Sequence, residues 1–368
     1  MKFVCTKETI LTEIIYAMNF TSQKNALSIT SNVFFQTKGS SLSIKATDTK
    51  VGFSTEISVD VLEEGKALVS CTKLLEILRT LPDGNVTFTS SNGTFAIKPE
   101  AQGIDFKLRT ITSDEFPALE RGDDLTYFTV EQKAFTEMID QTYFAAAEDD
   151  SRQFLNGVFL ERSKTGMTMV ATDGRRLSIV ERSFEDEIDD FQAIIIPTKF
   201  LIELRRLASG EGTLRLSITD KLLFSIVGNR VFYTTLIKGD YPNYRRVIPE
   251  SQRYQATMRI QDMLDALKRV SLLVENKARR VYLDISEAGA LLTSDENESG
   301  EAKEIIACQY EGPESRISLN YTYLMTPLKV MDGEYFTLNF TEPTRALTVV
   351  PDGERDYLHL IMPMQQNP

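Results

Sequence analysis

Three kinds of landmark recur along this chain at nearly fixed spacing, and that recurrence constrains the fold more than any other feature. Thr72, Thr198 and Thr322 each open a helical apolar pattern and stand 126 and 124 residues apart. Gly84, Gly210 and Gly333 lie beyond those patterns, 126 and 123 apart, and Pro117, Pro242 and Pro363 follow at 125 and 121. Spacing that survives loops of different length marks one unit used three times. Ala46-Thr47-Asp48 also returns as Ala171-Thr172-Asp173.

Each copy repeats one order of elements. In the first, Lys2 to Cys5 reads as a strand, and Thr6 caps a helix whose apolar stripe is Ile10, Leu11, Ile14, Ile15 and Met18. Strands follow over 33–36, 41–46 and 51–57, then a helix on Leu74, Leu75, Leu78 and Leu81, then strands over 86–89, 94–97 and 106–109. The second copy places helices on Phe135, Met138, Ile139 and Tyr143 and on Leu201, Leu204 and Leu207, and the third on Met263, Leu264, Leu267 and Val270 and near Tyr321. Pro327 falls in that last helix and removes a donor, so a kink or break is expected there. The fold class is α+β: three repeated domains, 1–122, 123–249 and 250–368, each with two helices packed on antiparallel strands. Acidic connectors mark the boundaries, chiefly 113–124.

The bulk numbers narrow the function. Forty-two per cent hydrophobic and 26% charged residues are the proportions of a soluble globular protein, and no apolar run approaches membrane-spanning length. Nothing near Lys2 resembles a signal peptide, which points to the cytoplasm. Cys5, Cys71 and Cys308 lie far apart in apolar runs and read as buried reduced thiols. A net charge of -12 excludes a protein that coats nucleic acid over its whole surface, but not one with a local basic face. Catalysis finds little to work with. The single histidine, His359, sits between Leu358 and Leu360 in a strand-like run, there is no metal-ligand motif, and Gly210-Glu211-Gly212 lacks the rest of a phosphate loop. No catalytic residue, metal or cofactor is assigned.

The stretch Met169 to Val180 carries the sharpest functional signal. Met167, Met169 and Ala171 alternate with Thr168, Val170 and Thr172, the pattern of a strand with one buried face. The strand stops at Asp173-Gly174, a pair suited to a tight turn, and a second apolar run begins at Leu177. Arg175 and Arg176 lie between the runs. On this stretch alone they read first as solvated residues of a strand-turn-strand, and otherwise as cations pressed against a hydrophobic edge.

Five motifs in order tie the chain to a family: Met1-Lys2-Phe3, Phe154-Leu155-Asn156-Gly157, Ala171 to Leu177, Tyr241-Pro242-Asn243-Tyr244-Arg245-Arg246-Val247-Ile248-Pro249, and Met362-Pro363-Met364. On a threefold repeat, these make the sequence resemble, along its whole length, the beta sliding clamp of bacterial replicative DNA polymerases. The resemblance implies the DNA clamp fold, a head-to-tail homodimer closing a ring around duplex DNA, with helices inside and sheets outside. It implies no enzyme activity. It implies a pocket between the second and third domains for short Gln-x-x-Leu-Phe-like peptides of the polymerase, the clamp loader and repair proteins. The matching positions are Leu155, Thr172, Gly174, Arg175, Arg176, Leu177, Pro242, Arg246, Val247, Leu360, Met362, Pro363 and Met364. The subunit interface would join Phe106 and Leu108 to Leu272 and Leu273. Basic residues on or near the helices, among them Lys24, Lys73, Arg79, Lys133, Arg152, Lys199, Arg205, Arg206, Lys268, Arg269, Lys277 and Lys329, would contact phosphates without reading sequence.

Three departures from the family pattern bear on those expectations: the acidic Glu148-Asp149-Asp150, Pro327, and a tail over 365–368 beyond Met364. A peptide-binding scaffold that never encircles DNA would keep the pocket but need no self-complementary interface. A carboxylate-metal hydrolase would need acids gathered in one domain, whereas the repeats spread them.

Overall fold

The computed structural model describes all residues except 23–28, 102, 112–114, 121, 149–150, 164–165, 185–189, 276, 354–355 and 366–368. Lys24, Asp149, Asp150 and the tail residues Gln366, Asn367 and Pro368 therefore lie outside the described residues.

The described residues hold six α-helices, two per repeat: α1 (Lys7–Asn19), α2 (Cys71–Thr80), α3 (Gln132–Asp140), α4 (Thr198–Leu207), α5 (Ile260–Val270) and α6 (Tyr321–Leu328). The threonine landmarks mark their first turns. Side chains just ahead of three of them supply the caps: Thr6 accepts from the Thr9 amide at 3.3 Å, Ser70 from Lys73 at 3.5 Å and Asn320 from Thr322 at 3.0 Å. Pro327 lies within α6, next to its last residue. The helix ends one residue later, with the Lys329 amide bonding back to Met325 and Thr326.

The chain forms two compact units, Met1–Lys133 with Lys199–Leu236, and Ala134–Thr198 with Ile237–Pro368. The first holds a 13-stranded antiparallel sheet in which a strand of the second repeat, Arg230–Thr235, lies against a strand of the first, Val51–Ser58. Phe20, Phe53 and Phe232 stack across that seam with ring centroids 5.4 to 5.8 Å apart. This seam also corrects the expected stripe of α1. Ile10, Ile14 and Ala17 are buried, but so is Glu13, while Leu11 and Met18 are only half-buried and Ile15 is exposed. Glu13 tolerates burial because Arg230 forks onto its carboxylate at 2.9 and 2.5 Å, with its guanidinium 4.5 Å over the Tyr16 ring. A partner more than two hundred positions away leaves no periodic trace near Glu13.

The second unit holds a nine-stranded sheet and a four-stranded one. In the larger, Arg176–Ser183 pairs with Tyr357–Ile361, so the second and third repeats join as the first and second do. Several short strands escape the sequence pattern. Gly65–Ser70 and Ile194–Pro197 run straight into α2 and α4 with no turn residue to announce a boundary, and Asp60–Glu63 leaves Leu62 exposed.

The recurrent Ala-Thr-Asp encodes one hairpin turn twice. Thr172 donates its hydroxyl to the Arg176 carbonyl at 2.6 Å and accepts from the Gly174 amide at 3.0 Å, while Asp173 accepts from the Arg175 and Arg176 amides at 2.9 and 3.0 Å. In the first repeat, Thr47 binds Val51 and Thr49 at 2.7 and 2.9 Å, and Asp48 accepts from Lys50 and Val51 at 2.9 and 3.0 Å. Both turns need one residue at positive φ, Gly174 at 85° and Thr49 at 81°.

Cys5 and Cys71 are buried, and burial pushes both thiols up to about 12. Cys308 is only half-buried, at about 11. None is a thiolate at neutral pH.

Candidate functional site

The strand Gly166–Thr172 is buried on both faces, not one. Met167, Met169 and Ala171 fill the inner face as expected, and cross-strand register explains the outer one. Phe159, Val170, Ile179 and Leu358 stand in one row across four strands, and Thr172, Leu177, Leu360 and Thr348 in the next. Val170, Leu177, Leu360 and Tyr244 form a buried cluster with Phe159, Ile179, Tyr241, Ile248, Ala346 and Leu358 packed against it.

Over this face runs the segment after Pro242. Tyr241 stacks on Phe159 with centroids 4.8 Å apart and its hydroxyl donates to the Val170 carbonyl at 3.4 Å. Tyr244 and Arg245 both bond the Glu161 carboxylate at 2.5 Å. Burial and that carboxylate push the Tyr244 phenol up, so it stays a neutral donor. The clamped segment leaves Pro242, Arg246 and Val247 exposed, Val247 at 56%.

The strand Tyr357–Ile361 and the residues after it edge this cluster. Beyond Ile361, the Met362 amide bonds the Arg175 carbonyl at 2.9 Å and the Met364 amide bonds the Ser318 carbonyl at 2.8 Å. Met362 is 42% exposed, and Pro363 and Met364 are half-buried. Leu177 and Leu360 are thus in direct packing, with Thr172 beside Leu177 and a flexible methionine at the edge. Gly174 and Arg175 are exposed on the hairpin turn. Arg152 lies over that turn, its guanidinium 3.6 Å from where a Cβ on Gly174 would stand. Leu155 is buried in the 3-10 turn Gln153–Leu155, with its carbonyl bonded by Ala147, and stands outside the four-residue cluster. Val170, Phe159, Tyr241 and Tyr244 are not among the pocket positions that the resemblance implies; the signal for them is the register that the Thr-Asp turn fixes.

Arg176 is not a solvated turn residue. Its guanidinium lies 4.7 Å over the Tyr323 ring and 5.8 Å from the Phe144 ring, and its Nε donates to Asp173 at 3.0 Å. Behind it His359 is fully buried, its ring nitrogens near the Tyr323 carbonyl without closing a hydrogen bond of normal geometry. Burial, then the Arg176 charge, push its pKa down from 6.5 to about 3. The folded state therefore keeps His359 neutral where the unfolded chain takes a proton. Stability is fully present above pH 6.5 and falls as pH drops toward 3, by about 1.4 kcal/mol per pH unit. As the chain has a single histidine, urea unfolding should show a loss of about 2 kcal/mol between pH 6.5 and 5. His359→Phe should lack that component.

The described basic positions sit on exposed surface. Lys73 and Arg79 are on α2, Lys133 on α3, Lys199, Arg205 and Arg206 on α4, Lys268 and Arg269 on α5, and Lys277 and Lys329 beyond α5 and α6. Some are already paired: Lys73 with Glu76 at 2.8 Å, Lys199 with Asp48 at 3.4 Å, Arg206 with Glu203 at 3.0 Å and Arg269 with Glu304 at 2.5 Å. Phe106 is exposed and Leu108 half-buried on Phe106–Ile111, while Leu272 is 81% exposed and Leu273 half-buried on the 3-10 turn Ser271–Leu273. Among the described residues no group of three or more His, Cys, Asp or Glu could hold a metal ion, and no helix is long and apolar enough to cross a membrane.

A threefold α+β repeat with an apolar cluster at one junction, an exposed methionine at its edge and cations beside it defines a scaffold of the clamp type. Three family models match in succession: the DNA polymerase III beta subunit N-terminal domain over residues 1–120, the central domain over 129–243 and the C-terminal domain over 245–365. A beta sliding clamp from Treponema pallidum is 39% identical over 99% of this chain and 100% of its own. Crystal structures are similar over both whole chains, among them the Pseudomonas aeruginosa sliding clamp bound to griselimycin (TM-score 0.92, 26% identity). The beta subunit from Borrelia burgdorferi in complex with a natural product is similar to the same extent (TM-score 0.92, 25% identity). The chain belongs to the DNA polymerase III beta subunit family, the bacterial sliding clamps.

Proposed function

We propose that two copies of this chain close head to tail around duplex DNA in the cytoplasm, and that the groove at Leu177 and Leu360 tethers the replicative polymerase, clamp loader and repair proteins to that ring. The chain acts by binding, without a catalytic step. Its three domains span 1–122, 123–249 and 250–368.

The groove carries this reading. Its floor is apolar and preorganised by the strand register, its edge is an adaptable methionine, and Arg152, Arg175 and Arg246 supply charge at the margin, which suits a short peptide ending in Leu-Phe. Two unpaired edges support the ring. From Phe106 to Arg109 the strand Phe106–Ile111 pairs only with Thr94–Pro99 among the described residues, and Lys303–Ile306 is an edge strand with Ile305 75% exposed. Open apolar edges invite pairing with another chain, and two different edges on one subunit give a heterologous contact that closes only as a ring. The exposed helix cations Lys73, Arg79, Lys199 and Arg205, with Arg152, would make sequence-independent phosphate contacts inside it.

Titration of a labelled Gln-x-x-Leu-Phe peptide tests the groove. One site per chain is expected, weakened more than tenfold in Leu177→Glu, since burying one Leu or Phe side chain is worth roughly 1.5–3 kcal/mol and tenfold is about 1.4. Unchanged affinity in that variant would remove the peptide from this site.

A further inference from the structure

The seam between the first and second repeats has the same strand register as the seam between the second and third. Thr47 faces Gly52, Gly52 faces Tyr233, and Tyr233 faces Phe224, as Thr172, Leu177, Leu360 and Thr348 do one repeat along. The strand exits match: the Thr235 amide bonds the Lys50 carbonyl at 2.8 Å, as Met362 bonds Arg175 at 2.9 Å. The covering segments match too, for Phe116 stacks on Phe34 at 5.2 Å as Tyr241 stacks on Phe159 at 4.8 Å.

The occupants of the register differ. Leucine at 177 becomes glycine at 52, and leucine at 360 becomes tyrosine at 233. The Tyr233 ring lies on the bare Gly52 backbone, so close that a Cβ there would overlap it, and its hydroxyl oxygen reaches the Glu120 backbone amide and the Thr47 side chain. Tyr233 is buried, with Phe224 at 5.6 Å on its other side. An aromatic ring thus lies where the leucine pair meets in the second junction, between the Thr-Asp turn and the covering segment. Around it, Lys45 and Ser54 stand where Val170 and Ile179 stand in the other floor.

We propose that Tyr233 is the internal occupant of a second copy of the peptide groove, and that the Gly52–Tyr233 pair restricts each subunit to one bound peptide. This rests on the peptide reading of the Leu177–Leu360 groove. The bare glycine is what lets the ring lie down into the groove.

Calorimetric titration of the full chain with a Gln-x-x-Leu-Phe peptide tests this, using wild type, Tyr233→Ala, and the double variant Gly52→Leu, Tyr233→Leu, which rebuilds the leucine pair without emptying the seam. Thermal melting identifies which variants are folded. Wild type should bind one peptide per chain. Tyr233→Ala, or the double variant where alanine does not fold, should bind two, the second at least tenfold weaker because Lys45 and Ser54 make the floor partly polar. The new site should persist when Leu177→Glu is added. One site in the folded variants overturns the inference, as do two sites in wild type. No site in wild type overturns the peptide reading itself, and this inference with it.

Discussion

Replacing Leu272 and Leu273 together with alanine is expected to convert a dimer into a folded monomer. In the single chain Leu272 is 81% exposed, so its methyl groups contribute almost nothing to the fold, and the subunit's melting curve should hardly move. Leu273 is half-buried and its carbonyl accepts from Asn297 at 2.6 Å, a backbone contact that survives truncation. Around the pair lies a shallow groove of about 470 Å³ lined by Val274, Glu275 and residues 296–299. If Phe106 and Leu108 of a second copy fill it, both leucines become fully buried there. Leu→Ala at a buried site costs roughly 2–5 kcal/mol, so two of them should weaken association at least a thousandfold. Sedimentation should then show one 41.6 kDa chain where wild type shows two. A dimer of unchanged affinity would place the interface elsewhere.

Deleting Met362–Pro368 should weaken the Gln-x-x-Leu-Phe peptide at least tenfold, about 1.4 kcal/mol, while leaving the dimer intact. The deletion removes the half-exposed Met362 side chain from the groove edge, and burial of one methionine is worth roughly 1.5–3 kcal/mol. It also removes the two backbone bonds, Met362 to Arg175 and Met364 to Ser318, that hold the strand end against the hairpin turn. Some loss should therefore come from a looser turn around Gly174 and Arg175. Tyr357–Ile361 stays paired with Arg176–Ser183, so the floor leucines remain in place. Direct titration against a verified dimer is the proper readout, because loading on DNA would pass through the same groove. Unchanged affinity would mean that Met362 to Met364 only finishes a strand.

What the sequence made legible were features with a backbone requirement. Proline, glycine and capping threonine positions cannot drift without breaking a turn or a helix end, so their spacing exposed the threefold repeat, and Ala-Thr-Asp marked a turn whose bonds recur atom for atom. Partners set by the tertiary fold stayed hidden. Glu13 sits within an apolar stripe and is explained only by Arg230, and Val170 is apolar on the wrong face until the segment after Pro242 is seen to cover it. At the site, Leu177, Leu360 and the terminal methionines came from motif resemblance. The Arg176 stack on Tyr323 and Phe144 had no signal, since those rings are carried by separate stretches of chain with no shared period. Leu272 read equally well as core, because a leucine after an amphipathic helix looks the same whether it faces its own domain or another molecule.

The central claim is that this chain holds DNA by enclosing it. The most direct measurement loads labelled clamp, with a clamp loader and ATP, onto a nicked circular plasmid, then removes free protein at high salt and cuts the circle once. Salt weakens phosphate contacts steeply but leaves topology untouched. The account predicts that clamp stays on the intact circle through the salt wash and is lost once the circle is linearised with free ends. Equal retention on circular and linear DNA, or loss from the circle in salt alone, would contradict it.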